Sequence, residues 1–444
     1  MTRHRVSALR VGWLVVAGAC VETDRSLPQP PSLDAELRQS LQQWGVVPIN
    51  PQPVQDPSLV ALGQALFFDK VLSGNRDIAC ATCHNPATAM GDGQSLAVGT
   101  GGTGVGPART LGSGRQFVPR NAPTLLNVAL GLPYVFWDGR VTGFAGQFQT
   151  PAGAALPPGL PSILAAQAMF PVTNRTEMRG ERGDADVFGK PNELAQYGDS
   201  QWTAIWRAVM LRLLAIPTYT ARFNSAFPGT PTNQLGFQHA AMAIAAFETQ
   251  ALTKTDTPFD RYLKQDDDAL TAEQKRGASL FFGKATCSGC HNGPQLGAGS
   301  FADVGVPQLG PGVGAELPLD LGRGALPDNE FYRFAFRVAP LRNVELTAPY
   351  FHDGAYPTLQ AVVRHYNDVR VALPGFDASQ LAPDVRATYH GDAATVGAVL
   401  ERLDFRLQQP LRLTETERAE LVAFLKALTD PSARDLSALV PNRE

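Results

Sequence analysis

Apolar residues recur with helical spacing in four stretches, Trp202–Leu214, His239–Leu252, Leu359–Tyr366 and Glu415–Leu428. In Leu359–Tyr366 the stripe is Leu359, Val362, Val363 and Tyr366, at i, i+3, i+4 and i+7 on one helix face. His365 lies about 100° round that helix and faces elsewhere. Alternating, strand-like stretches are few and short. Long segments rich in glycine and proline separate the helices, notably Gly91–Pro119, Thr150–Ser162 and Val304–Pro327. Loops of this length tend to be functional, or packed around something other than protein. One pattern occurs twice, as Leu62-Gly-Gln-Ala-Leu-Phe-Phe68 and Arg276-Gly-Ala-Ser-Leu-Phe-Phe282. The chain therefore reads as mainly α, with two copies of one small unit, a long middle section and much irregular chain.

Composition narrows the function. The 444 residues suffice for two to three domains, and 44% hydrophobic with 18% charged residues is a globular balance. Lys+Arg number 38 against 41 Asp+Glu, so no basic excess advertises nucleic-acid binding. No run of eighteen apolar residues exists, which excludes a multi-span membrane protein. Arg3, His4, Arg5 and Arg10 precede the short apolar run Val11–Ala19, so residues 1–19 read as an export signal. Ala17-Gly-Ala-Cys20 resembles the lipobox of bacterial lipoproteins, except that Ala stands where Leu is usual. Cys20 is thus a candidate lipid anchor, and an ordinary cleaved signal is the alternative. Either way the protein is expected in the periplasm, free or held at the outer membrane. Residues 20–50, with Pro28, Pro30 and Pro31, read as a tether.

The remaining four cysteines form Cys80-Ala-Thr-Cys83-His84 and Cys287-Ser-Gly-Cys290-His291. Two thiols at this spacing match the two vinyl groups of one haem, and the following imidazole is placed to ligate its iron. Two such motifs predict two covalent haem c groups, with His84 and His291 as proximal ligands. A four-cysteine zinc ribbon needs its pairs some 15–20 residues apart, and a redox disulfide needs no histidine at either motif. The expected division is a haem domain over residues 51–257, a second over 258–432, and a tail at 433–444. Gly99-Thr-Gly-Gly-Thr-Gly104 satisfies G-x-G-x-x-G literally, but no strand precedes it and no helix pattern follows it.

From about residue 55 to 430 the chain resembles the bacterial dihaem cytochrome c peroxidase and MauG superfamily. The strings that carry the resemblance are Leu66-Phe-Phe-Asp69 with Leu72-Ser-Gly74, Arg120-Asn-Ala-Pro-Thr124, Phe136-Trp-Asp-Gly-Arg140, Glu177-Met178 and Pro258-Phe-Asp-Arg-Tyr262. The most telling is Leu341-Arg-Asn-Val-Glu-Leu-Thr-Ala-Pro-Tyr-Phe-His-Asp-Gly354. Leu164–Asn174 resembles the MbnH-like branch, whose members oxidise a tryptophan of a small partner protein.

The resemblance implies two cytochrome c-like haem domains and a set of roles. Trp137 matches the tryptophan that relays electrons between haems. Glu177 matches the carboxylate on the open face of the N-terminal haem. Gln167, ten residues before it, is preferred to Gln147 as its companion. Asn121, Thr347 and Pro349 match positions around a calcium ion, offering hard oxygens. His352 takes a structural role near the C-terminal haem. Relatives that draw electrons from a small cytochrome carry a distal histidine in the loop before the Arg-Asn-Ala-Pro string, yet Asn85–Arg120 contains none. Where those relatives place a distal methionine, Tyr366 stands here, as in MauG, with His365 the runner-up.

The function expected from this is an exported haem-dependent oxidoreductase. It is expected to use hydrogen peroxide to reach a high-valent dihaem state and to oxidise a partner, at a tryptophan or tyrosine of an exported protein substrate. One alternative is peroxide reduction with electrons from a small redox protein; another is a non-catalytic dihaem electron carrier. His239 is expected to be packing and His390 exposed.

Overall fold

The computed structural model describes residues 32–441 except residue 298, together with residues 1, 2 and 12. Arg3–Arg10, Cys20 and the prolines at 28, 30 and 31 lie outside the described residues. The helices are α1 (Leu33–Gln43), α2 (Pro57–Phe68), α3 (Cys80–Cys83), α4 (Ile163–Ala168), α5 (Trp202–Leu214), α6 (Pro217–Ala226) and α7 (Phe237–Leu252). They continue with α8 (Pro258–Leu263), α9 (Ala272–Phe282), α10 (Leu359–Asn367), α11 (Val369–Ala372), α12 (Pro383–Arg386), α13 (Ala393–Arg402) and α14 (Glu415–Lys426). The strands are β1 (Tyr134–Val135), β2 (Val141–Phe144), β3 (Gln147–Gln149), β4 (Phe301–Ala302) and β5 (Phe336–Arg337). β1, β2 and β3 form one small antiparallel sheet, and β4 pairs antiparallel with β5.

The sequence repeat becomes a spatial one. α2 is capped by Asp56, which accepts from the Ser58 and Leu59 amides, with Pro57 in the first turn. α9 starts with a Thr271/Gln274 capping box. α2 packs on α7, and α9 on α14. At each crossing a glycine of the repeat meets backbone: Gly63 faces the Ala243 carbonyl, and Gly277 the Glu420 carbonyl. A Cβ on either would also lie 2.9 Å from the Cβ of Phe247 or Phe424. Behind each glycine the same aromatic pair closes the contact, Phe67–Phe247 and Phe281–Phe424, both with ring centroids 5.3 Å apart.

Three expectations need correction. The tether does not extend through residue 50. Leu37 and Leu41, one turn apart on α1, and Val46 are buried with Phe259, Tyr262 and Phe281 of the C-terminal domain. Asp34 adds an ion pair with Lys275 at 2.8 Å. The proline-rich approach to α1 hid an apolar i, i+4 stripe that suffices for docking. Nor is 433–444 a free tail, because Ala433 and Leu436 are buried in the core of the N-terminal domain. Gln64 Nε2 also donates to the Leu439 carbonyl at 2.9 Å. Finally, two of the long loops pack on each other rather than around a non-protein group alone. Leu96, Val98 and Phe117 of the first share a core with Val306 and Leu309 of the second, and with Tyr356 and Val385.

The closing role of the C-terminal segment can be measured. Leu436→Ala should lower the unfolding free energy of the full chain by about 2–5 kcal/mol, the range for a truncated core leucine. Val440→Ala, half exposed, should change it by less than about 0.5 kcal/mol. Equal, negligible effects in denaturant unfolding would restore the free-tail reading.

Candidate active site

Cys80 and His84 line a cavity of the N-terminal domain; Cys287, Cys290 and His291 line a second, whose wall also takes Asn121, Leu126 and Trp137 from the N-terminal half. The two histidines are held alike. His84 Nδ1 lies 3.1 Å from the Met90 carbonyl, and His291 Nδ1 lies 3.0 Å from the Leu296 carbonyl. A backbone acceptor at Nδ1 fixes the ring and leaves Nε2 as the ligand nitrogen. Burial pushes both imidazoles below their ordinary value, His291 to about 4, so both are neutral. Burial likewise pushes the Cys80 and Cys287 thiols up to about 12. These are protonated, inert thiols, unlike the low-pKa thiolates of redox sites. All four motif cysteines are free, and no cluster of three or more His, Cys, Asp or Glu among the described residues is arranged for a metal ion. Zinc and disulfide therefore lose to apolar cavities with a neutral imidazole and two thiols, which fit haem c.

In the N-terminal cavity, Gln167 on α4 and Glu248 on α7 share the wall with Cys80 and His84. Gln147, by contrast, is exposed on β3. Glu177 sits beside the wall residue Met178, in a π-helical turn over Arg175–Arg179, and its own amide donates to the capping Asn174 side chain. Such turns are frequent at functional sites. Burial raises the Glu177 carboxyl above its ordinary value, and the Arg140 guanidinium partly offsets that. The glycine run that imitates a dinucleotide motif has a different task. Thr100 N donates to the Glu177 carbonyl at 2.9 Å. A Cβ on Gly99 would stand 2.8 Å from that same oxygen. The run lets one backbone lie against the other.

In the C-terminal cavity, Tyr366 and Trp137 share the wall with Cys287, Cys290 and His291. Burial pushes the Tyr366 phenol well above its ordinary value, with the two cysteines adding to the effect. Trp137 Nε1 donates to the Asn121 carbonyl at 2.9 Å, and Asn121 N to the His352 carbonyl at 2.7 Å. Arg337 N donates to the Trp137 carbonyl at 2.8 Å, so the tryptophan is pinned from both halves of the chain. The His352 ring stacks on Phe336 at 3.4 Å, beside the same cavity. Asn121, Thr347 and Pro349 also line it. Asn121 Nδ2 is committed to the Gln94 carbonyl, which leaves Oδ1 available.

His365 is buried, with Nδ1 2.9 Å from Tyr356 Oη and Nε2 2.8 Å from the Val304 carbonyl. Both ring nitrogens are satisfied by protein, and His365 is not among the residues that line the cavity. His239 packs edge-on against Phe227 at the start of α7, as expected of a packing residue. His390, expected to be exposed, is half-buried, with Nε2 3.3 Å from the Gly310 carbonyl. Sequence reasoning passed over two groups, Arg140 and Glu248. Arg140 stood in plain view in the Phe136–Arg140 string and lies 3.7 Å over the Phe136 ring. Glu248 could have been found as the lone carboxylate of α7, a helix whose other residues are mostly apolar.

A family model described as "Di-haem cytochrome c peroxidase" matches residues 57–268. Over 386 residues the chain is 32% identical to the methylamine utilization protein MauG of Methylorubrum extorquens, covering 86% of this chain and 82% of that protein. It is 33% identical over 377 residues to the cytochrome c551 peroxidase of Pseudomonas aeruginosa, covering 84% and 86%. The crystal structure of a MauG-like protein associated with microbial copper homeostasis matches with a TM-score of 0.58 at 26% identity, covering 87% of this chain and 95% of that one. Cavities, motifs and relatives agree: the chain belongs to the dihaem cytochrome c peroxidase and MauG family of haem oxidoreductases.

Proposed function

We propose that this is an exported MauG-like enzyme that takes oxidising equivalents from hydrogen peroxide at the His84 site and spends them on a partner protein, at a tryptophan or tyrosine side chain. The observation that carries this reading is the Tyr366 phenol facing the cavity of His291. An anionic oxygen ligand favours higher oxidation states of iron, whereas a thioether raises the potential and suits electron uptake. A peroxidase fed by a small redox protein needs the second property; an enzyme that holds oxidising equivalents needs the first.

Bound haem supplies the redox chemistry. Cys80, Cys83 and His84 would hold one haem; Cys287, Cys290, His291 and Tyr366 would hold the other. Glu177, whose carboxyl burial makes more basic than an exposed one, takes the proton of one peroxide oxygen as the carboxylate and returns it to the other. Gln167 hydrogen-bonds and orients the peroxide. Trp137, between the two halves, is the electron relay. The available oxygens of Asn121, Thr347 and Pro349 suit a calcium ion that would brace Trp137 through the Asn121 carbonyl. The N-terminal signal directs the chain to the periplasm, with Cys20 as the lipid anchor. No helix of the described residues is long and apolar enough to cross a membrane.

Three outcomes test the reading. First, no histidine lies within Asn85–Arg120, so the fully oxidised protein should show a high-spin haem signal and react with peroxide without prior reduction. An all-low-spin electron paramagnetic resonance spectrum, with reaction only after one electron is added, would favour the cytochrome-fed peroxidase. Second, Glu177→Gln should slow the reaction with peroxide by roughly 10²–10⁴-fold. The wild-type rate should fall as pH drops through the raised Glu177 pKa and its carboxylate is lost, and the variant should lack that limb in stopped-flow pH profiles. Third, Tyr366→Met should raise the potential of the C-terminal haem and shorten the lifetime of the peroxide-oxidised protein. An unchanged potential would remove Tyr366 as a ligand.

A further inference from the structure

The two helix crossings can be laid on each other residue by residue. The register that carries Ala243 onto Glu420 and Phe247 onto Phe424, each against its own glycine, carries Ile244 onto Leu421 and Glu248 onto Leu425. All four line their cavities. Where the C-terminal domain presses a leucine against its cavity, the N-terminal domain presents a carboxyl group.

That carboxyl is out of place by every ordinary rule. Glu248 is 4% exposed and its Oε2 has no hydrogen-bond partner. Burial alone pushes it up to about 8, with no cation acting on it. Phe237 and Ile244, on the same face of α7, share the wall with it. Leucine serves at the equivalent site, so helix packing does not require a carboxyl there. Buried polar groups in folded proteins are almost always partnered, and an orphan points to something the cavity receives.

We propose that Glu248 donates a hydrogen bond to an oxygen atom of whatever fills the N-terminal cavity, and that this bond sets the His84 site apart from its C-terminal counterpart. Two sources supply such an oxygen: a carboxylate of the haem's own propionates, or the oxygen ligand on the open side of the iron, next to Gln167. The proposal rests on haem being seated at His84, not on which substrate receives the oxidising equivalents.

The test uses the full-length, haem-loaded, oxidised protein, with fluoride as the probe of the open coordination site. Glu248→Leu installs the C-terminal domain's own side chain; Glu248→Met is the second apolar variant, should the branched one fail to fold. Glu248→Gln keeps an N–H donor. Fluoride affinity and the potential of the N-terminal haem are measured for each. Loss of a hydrogen bond to an anion should weaken fluoride binding roughly 10–100-fold in the apolar variants and only a few-fold in Glu248→Gln, if the partner is the iron-bound oxygen. An unchanged fluoride affinity with a shifted potential, restored by glutamine, assigns the bond to a propionate. If neither quantity moves in either apolar variant, Glu248 is packing and the proposal is overturned. Neither measurement involves peroxide or a partner protein, so that failure would leave the proposed function standing.

Discussion

The structure depends on two places where a helix backbone comes closer to another helix than any side chain allows. Gly63 against the Ala243 carbonyl and Gly277 against the Glu420 carbonyl bring two long helices together at one point in each domain. Phe67–Phe247 and Phe281–Phe424 then fill the space beside the contact. Close packing of this kind has little tolerance for displacement, since interiors pack like organic crystals. The helices can therefore hold an apolar cavity open beside a Cys-x-x-Cys-His turn without collapsing into it. Each motif thereby has a cavity beside it, and the two differ in size and in the side chains of their walls.

Between the domains the decisive element is charge. Arg120 reaches Asp138 at 2.6 Å and Asp320 at 2.7 and 2.8 Å, all three almost wholly buried. Asp138 also holds Arg140 at 3.0 Å, and the field of Arg140 is felt by Glu177. One network thus runs from the C-terminal domain, past the neighbours of Trp137, to the Glu177 carboxyl beside the N-terminal cavity. Removing one partner of such a network strands a buried charge, which costs about 3–5 kcal/mol, far more than the pairing contributes over an apolar replacement. The network fixes where the parts stand more than it adds stability.

Much of this was legible in the sequence. The spacing of apolar residues located α5, α7, α10 and α14 because each buries a continuous stripe. The cysteine motifs located both cavities because thioether geometry leaves little freedom of spacing. The strings that carry the family resemblance prove to be joined in space: Asp260 of one pairs with Arg342 of another at 2.6 Å, both buried. What the sequence hid had a common cause. Docking of α1, burial of Leu436 and the shared core of the two loops are contacts between residues hundreds of positions apart. Local periodicity carries no trace of them. α6, which buries Tyr219 and Phe223, escaped for a different reason, since its two core residues are diluted by polar ones. Tyr366, where a helical stripe and a family position coincide at one residue, lines the cavity of His291.

The burial of Ala433 and Leu436 against the first domain has a bearing on the order of assembly. A chain made from its N-terminus exposes the Cys80 motif early, yet the core behind that motif lacks Ala433 and Leu436 until the whole second haem domain has been synthesised. The first domain is therefore a vessel whose stopper comes from beyond the second. Cofactor attachment needs both thiols accessible, and a first domain that completes its core only with residues from beyond the second leaves the Cys80 motif incompletely packed in the meantime.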